Sequence, residues 1–509
     1  MMRWRSGNSA TVDVHEVLSH PESDWGSRML VVGVVIVALL ASAIVVFTGG
    51  NLIAGAAFLG ALTVLLTTLY RLDLGFLLFV GAVLALDQYH IPGFEPLTFQ
   101  FGYFRNVKEI AYLPSFGAAV FNPLELHLLL LIFVWFFVLG IQKERQLIGI
   151  HGWGVALAFF FGLICFLLYG LREGGELLVA VWEVRALMYL GVLYFFVPQV
   201  IQTKEQLVAL VWVCIAAISL KALQGIVRYV TMGFTFNNLP TLTNHEDPVF
   251  MLTLVILLFG FAVMHVRHSQ VSILLLLLLP LLIGFFVAQR RAAYAAILPS
   301  FAAFVVLLSQ QERLKLFKTV LPVVGVLGLY TAVFWESESR FASPVRLVKS
   351  GLTSDRETAG ERYYSNLYRD FEKINLAKTV QTSPVVGIGF GNKYEMPIPL
   401  ATISFPLRDY IPHNQVLWII AKTGVVGFFL FWFFFDAFAF RVASISTRLR
   451  DPYLRVVCAM AVAAVIGQIV VSYFDMQLTY YRNMVYLGIL MGLPPALEVI
   501  DSESPAAKE

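Results

Sequence analysis

Residues 271–309 read VSILLLLLLPLLIGFFVAQRRAAYAAILPSFAAFVVLLS, two apolar runs (271–289 and 292–309) hinged on Arg290 and Arg291. A helix crossing the hydrocarbon of a bilayer needs about 20 apolar residues at about 1.5 Å rise each. Each run therefore predicts a membrane-spanning helix, and the arginine pair predicts a tight turn at the membrane surface. The rest of the chain repeats this pattern. Of 509 residues, 59% are hydrophobic and only 14% charged, with a mean hydropathy of +0.77, against about 25% charged residues in a soluble domain. A soluble protein is excluded. The 36 basic and 33 acidic residues nearly cancel, to +3, which removes any general charge argument for nucleic acid as a partner.

Cutting apolar runs at prolines, glycines and charge clusters yields about fourteen candidate spans, near 29–48, 52–70, 73–88, 125–140, 153–170, 177–200, 206–227, 248–266, 271–289, 292–309, 317–335, 413–436, 453–474 and 482–498. The third and fourth are short, and re-entrant segments in their place bring the count down to twelve or thirteen. The expected fold class is an all-α polytopic membrane protein with about 12–14 transmembrane helices. Residues 1–28 are polar and precede many apolar runs, so they read as a cytoplasmic tail and not as a cleaved signal peptide. Spans 1–11 fill 29–335, a large loop fills 336–412, spans 12–14 fill 413–498, and 499–509 form a second cytoplasmic tail. Cys165, Cys214 and Cys458 fall inside apolar runs and read as small buried hydrophobes, not as a disulfide framework or metal cluster.

Short positive loops stay cytoplasmic. With the N-terminus inside, the inner loops hold clusters such as Lys143 with Arg145, Arg313 with Lys315 and Lys318, and Arg441 with Arg448 and Arg450, while the short outer loops are poorer. An even span count puts both termini inside and the large loop outside. Within that loop, Gly360–Val380 (GERYYSNLYRDFEKINLAKTV) spaces Tyr364, Leu367, Tyr368, Phe371 and Leu376 helically, opposite Arg369, Glu372 and Lys373. This predicts an amphipathic helix, lying on the membrane surface or over the bundle, or packing its own loop.

Ionisable residues inside spans cost about 2.5–3.5 kcal/mol each even on lenient insertion scales. The few present are therefore functional candidates: Glu183, Arg185, Lys221 and Lys422. Counting about 1.5 Å per residue from the outer ends puts Arg185 about 12 Å deep, Lys221 about 10 Å deep and Lys422 nearer the midplane. Arg228 follows the outer end of the seventh span, and Arg290 and Arg291 lie on the side that short loops keep poor in cations. As a set these predict a polyanion site at the outer face, because guanidinium groups grip phosphate bidentately. Taken singly, each also reads as a headgroup anchor. His245, Glu246 and Asp247 precede the eighth span; three adjacent residues rarely converge on one ion, so they read as loop polar groups or acceptor contacts and no metal site is expected. Pro412-His413-Asn414 opens the twelfth span. An imidazole there can take a proton from an attacking hydroxyl, and alone it also reads as an interfacial hydrogen-bonding residue.

Four pieces recur in a recognisable order: Arg290-Arg291-Ala292-Ala293-Tyr294 opening a span, Gly360-Glu361-Arg362 heading the loop helix, Pro384 with Gly387-Ile388-Gly389-Phe390-Gly391, and His413-Asn414 followed by Gly424 and Gly427. In order and spacing they resemble the O-antigen ligase and O-antigen polymerase superfamily, over roughly the C-terminal half. The resemblance implies a glycosyltransferase C-like enzyme of the bacterial plasma (inner) membrane, with its active site on the extracytoplasmic side. Such an enzyme moves a glycan from undecaprenyl diphosphate to an acceptor hydroxyl without a cofactor or obligatory metal. The implied partners are an undecaprenyl-diphosphate-linked glycan, a glycan or lipid A core acceptor, the lipid bilayer, and other proteins of O-antigen or exopolysaccharide assembly. By the same resemblance Arg291 and Arg362 bind the diphosphate and His413 is the base, with Arg290 and Arg291 able to exchange roles. From depth and side, Arg290 is added to the diphosphate-binding set, and Arg185, Lys221 and Arg228 are added as supporting residues, with Asn414 beside the base.

The Gly-rich segment lacks the helix-start context of a nucleotide loop and reads as a turn that seats the large loop. Polymerase and ligase differ only in acceptor, and both remain open. The alternative is a lipid-linked glycan flippase or other secondary transporter, which predicts coupled charges near the midplane and pseudo-symmetric halves.

Overall fold

The computed structural model describes residues 23–90, 96–110, 120–141, 147–150, 152–236, 239, 241–337, 339, 342–352, 362–403 and 405–503. Among these, every regular element is helical. In chain order the helices are α1 (Ser23–Phe47), α2 (Leu52–Tyr70), α3 (Leu72–Ala85), α4 (Pro123–Ile141), α5 (Trp153–Arg172), α6 (Leu177–Val200), α7 (Lys204–Thr231), α8 (Asp247–Val263), α9 (Ser269–Val287), α10 (Arg291–Val306), α11 (Gln310–Phe334), α12 (Ser343–Leu352), α13 (Arg362–Thr382), α14 (Gln415–Arg448), α15 (Pro452–Ser472) and α16 (Tyr481–Glu503), with single turns at Leu97–Gln100 and Val107–Glu109. Ten are long and apolar enough to cross a membrane: α2, α4, α5, α6, α7, α9, α11, α14, α15 and α16. Shorter apolar helices, α3, α8, α10 and the Val31–Phe47 part of α1, accompany them. The chain is a polytopic, all-α membrane protein.

Helices outrun the apolar runs that mark them. α1 begins at Ser23, inside the stretch expected as a tail. α11 begins at Gln310, where Ser309 and Glu312 form a reciprocal capping box, and α14 continues to Arg448. Hydropathy registers only the part inside hydrocarbon, whereas a capped backbone goes on propagating through polar interfacial residues.

Packing separates core helices from lipid-facing ones. α6 and α16 run along one another, and Gly488 and Gly492 let their backbones meet, since a Cβ at Gly488 would stand 2.9 Å from Leu190 O. α15 sits among α8, α10, α14 and α16 and is buried along most of its length. α11 is the opposite: Leu316 is its one buried residue, and Leu321, Leu327 and Leu329 face outward. In lipid that exposure carries no hydrophobic penalty.

α14 is interrupted. At Gly424 the backbone has φ 62° and ψ −166°, a conformation open in practice only to glycine, and helical hydrogen bonds are lost on both sides. Residues 384–391 of the large loop replace them. Ile388 N donates to Ala421 O (3.0 Å) and Gly389 N to Lys422 O (2.9 Å), while Val425 N and Val426 N donate to Pro384 O (2.9 Å) and Val385 O (3.2 Å). Gly389 has no room for a side chain, since a Cβ would stand 2.3 Å from the Gly170 Cα of α5. An unpaired buried backbone group costs about as much as a lost hydrogen bond, so the segment and the break require each other.

Lys422 fastens the joint. Its Nζ lies 2.6 Å from Glu183 Oε1 on α6 and donates to Asn392 O (2.5 Å), while Gly391 N donates to Glu183 Oε2 (2.5 Å). Glu183 is only about 9 Å along α6 from its start. Lys422 therefore meets α6 close to the Leu177 end of that helix.

Candidate functional site

The cations expected to support a bound anion fall into two sets. In the first, each is already engaged. Arg185 Nε donates to Glu125 Oε1 (2.6 Å), a second bond reaches the other carboxylate oxygen, and Asn106 Oδ1 (3.1 Å) and Val120 O (2.9 Å) accept two more. Lys221 pairs with Asp87 and donates to Gln224 Oε1 (2.7 Å). Arg228 is buried and donates to Leu242 O (2.6 Å). Beside them Arg482, not one of the expected cations, joins Glu246 (2.7 Å) and Asp247 (2.8 Å) with almost no exposure of any partner.

Lys221, Arg228 and Arg482 thus share one neighbourhood with Asp87, Glu246 and Asp247, so the signs balance. Arg185 and Lys221, expected to support a bound anion, thus have carboxylate partners within the chain, and Arg228 has a backbone carbonyl. Their counter-ions lie in connections or first turns that depth counting along a span does not see.

The second set gathers from five segments. Arg290 and Arg291 occupy the α9–α10 turn, where Gln289 takes φ 51° and Arg290 caps α10. Arg291 Nη2 donates to Asn366 Oδ1 on α13 (2.8 Å), and Arg290 Nη1 lies 4.0 Å from Asp475 Oδ2 in the α15–α16 connection. Asp475 Oδ2 also meets His245 Nδ1 (3.1 Å), just before α8, and Tyr480 OH is 3.1 Å from the same nitrogen. On the opposite side, His413 precedes α14. Its Nδ1 is 3.2 Å from Glu372 Oε1 on α13, its backbone N donates to Glu372 Oε2 (2.8 Å), and its ring centroid is 5.6 Å from that of Tyr368. Arg369, one turn before Glu372, acts electrostatically on both Asp475 and Arg290.

Charge in this set does not balance. Arg290, Arg291 and Arg369 face two carboxylates, Asp475 and Glu372. Four buried polar atoms in the cluster have no hydrogen-bond partner among the described residues: Arg290 Nε, Arg369 Nε, Tyr368 OH and Asn414 Nδ2. Buried donors in proteins are nearly always satisfied, so the arrangement suits a ligand rich in acceptors. Burial works against the Asp475 carboxylate, but the hydrogen bond with His245 and the charges of Arg290 and Arg369 overcome it and hold its pKa well below the usual range. Burial and the Arg290 charge draw the His245 imidazole below its ordinary value, against the pull of Asp475. At neutral pH the cluster therefore carries an anionic Asp475 and a neutral His245. Among the described residues no three His, Cys, Asp or Glu side chains gather where they could hold a metal ion.

Several expected residues come together and others do not. Arg290, Arg291, His413 and Asn414 converge here, Asn414 also capping α14 through Leu417 N (2.9 Å). Arg362 heads α13, while its side chain lies outside the described residues. The loop helix appears, but with different faces. Glu372, Asn375 and Thr379, the first expected outside, are buried with Leu376, while Tyr364 is exposed. That face docks on polar partners, not lipid: Asn375 pairs with Ile398 through N and O, and Thr379 Oγ1 accepts from Glu395 N. Arg369, Glu372 and Asp475 are the contributors that sequence reasoning missed, while His245 reads in the sequence as a loop polar group or an acceptor contact.

The stretch 252–432, from the second turn of α8 to the middle of α14, matches the family described as O-antigen ligase. It contains the arginines, Glu372 and His413, but not His245, Asp475 or Tyr480. No curated protein matches the chain.

Proposed function

With residues 252–432 placing the chain in the O-antigen ligase and polymerase superfamily, we propose that it transfers a glycan from undecaprenyl diphosphate to an acceptor hydroxyl, as a polymerase or ligase of O-antigen or exopolysaccharide assembly. The observation that carries this reading is the placing of His413 within the same cluster as Arg290, Arg291 and Arg369. His413 takes the acceptor proton as the hydroxyl oxygen bonds to the anomeric carbon. The bond from that carbon to the diphosphate oxygen breaks, and the electron pair leaves with undecaprenyl diphosphate. Guanidinium groups in a site screened from water stabilise that developing charge more than they would in water. Arg362, at the head of α13, adds to them, and no metal takes part. The large loop, 336–412, and this cluster face the extracytoplasmic side of the bacterial plasma membrane.

Reconstitution with an undecaprenyl-diphosphate-linked repeat unit tests the reading directly. Polymer or acceptor-linked glycan should form equally with and without chelator; an absence of transfer with active partner proteins present, or its loss to chelator, would overturn it. Replacing Arg291 or Arg369 by alanine is expected to lower transfer by about 10²–10³-fold each, the scale of one lost transition-state donor. For sidedness, a Lys378→Cys protein should react with an impermeant maleimide from outside spheroplasts. Labelling only after lysis would invert the topology.

A further inference from the structure

We infer that Glu372 is the positioning residue of His413, an inference that rests on His413 being the base. The two oxygens of one buried carboxylate hold the histidine twice, Oε2 at the backbone N (2.8 Å) and Oε1 at Nδ1 (3.2 Å). A carboxylate only accepts, and a neutral imidazole has one donor nitrogen and one acceptor nitrogen. Glu372 therefore takes the Nδ1 hydrogen and leaves the lone pair on Nε2, the form able to receive a hydroxyl proton. As that proton arrives, the new imidazolium meets a fixed anion and a neutral hydrogen bond becomes a charge-assisted one.

Glu372 is itself held in place. Asn375 and Thr379, on the same face of α13, are pinned to the backbone of Ile398 and Glu395, and Leu376 packs with Tyr394 and Ala421. Residues three apart on a helix share a face, and Asn366, Arg369 and Glu372 follow that spacing. One rigid helix thus meets Arg291 through Asn366, supplies a guanidinium through Arg369, and orients the base through Glu372. Anion binding and base orientation are set by the docking of the same rod.

The test compares Glu372→Gln, Glu372→Ala and His413→Ala in the purified full-length protein, with kcat and KM for the lipid-linked donor and the thermal shift produced by undecaprenyl diphosphate. Glu372→Gln keeps an acceptor oxygen but loses the charge, and kcat should fall about 10-fold; Glu372→Ala should fall further, toward the roughly 10²–10⁴-fold contributed by a general base. Donor KM and the thermal shift should stay within about threefold of the parent values, since neither substitution removes a group assigned to the diphosphate. Parent-like kcat in Glu372→Ala would overturn the proposal, as would a loss of the thermal shift in both Glu372 variants, which marks a merely structural role. Parent-like kcat in His413→Ala would instead overturn the base assignment on which the proposal rests.

Discussion

His413→Ala should lower the rate of glycan transfer by about 10²–10⁴-fold, the usual contribution of a positioned general base, while undecaprenyl diphosphate still binds. The separation follows from geometry. His413 contacts Glu372 and Tyr368, and the three arginines that carry the positive charge stand on the α9–α10 turn and on α13. Removing the imidazole takes away the proton acceptor but leaves those guanidinium groups where they are. Steady-state kinetics with donor and acceptor varied independently reads the outcome: kcat collapses with donor KM little changed. An unaltered kcat would transfer the role of base elsewhere, and His245, the other carboxylate-held imidazole of the cluster, would then be the residue to replace.

The second large effect is on stability. Arg482 donates to Val83 O (3.0 Å) and Leu84 O (2.7 Å) at the end of α3 while pairing with Glu246 and Asp247 (2.7 and 2.8 Å). Arg482→Met would leave two buried carboxylates without their main counter-ion. Breaking one partner out of a buried pair costs about 3–5 kcal/mol, because the abandoned charge stays desolvated. The expected result is a lower unfolding temperature in detergent and a lower yield from the membrane. Adding Glu246→Gln and Asp247→Asn to the same chain should recover part of the loss, since the uncompensated charge is gone. Arg482→Lys should not rescue it fully, because a compact ammonium cannot reach four acceptors spread as a guanidinium fork reaches them. If Arg482→Met unfolds at the parent temperature, the cluster is not what holds this end of the bundle.

Much of the fold can be read from the chain because the bilayer imposes a length and a polarity on each span, and runs such as 271–289 and 292–309 satisfy both. Helix ends are less legible. The polar start of α11 obeys capping chemistry, not hydropathy, and the break in α14 depends on a loop that precedes it by some thirty residues. The site divides in the same way. Arg290, Arg291 and His413 betray themselves locally, as charge or imidazole placed where a span begins. Arg185 and Lys221 look alike in sequence, yet their partners, Glu125 and Asp87, lie 60 and 134 positions away. Periodicity also misjudges α13, because it assumes an apolar inner face. This helix docks through Glu372, Asn375 and Thr379, so its polar stripe points inward.

The interruption in α14 bears on how the chain is made. Synthesis delivers α5 and α6 first, then the large loop, then α14. The segment 384–391 must therefore wait for a helix that has not yet emerged. Until Ala421, Lys422, Val425 and Val426 arrive, Pro384, Val385, Ile388 and Gly389 lack their backbone partners. Assembly of this part of the protein is accordingly sequential, and α14 closes on a seat prepared by α5, α6 and the loop. The same dependence governs exchange of loops between relatives. A foreign loop will be accepted only if its glycines travel together with the small residue at position 170 and the break at position 424.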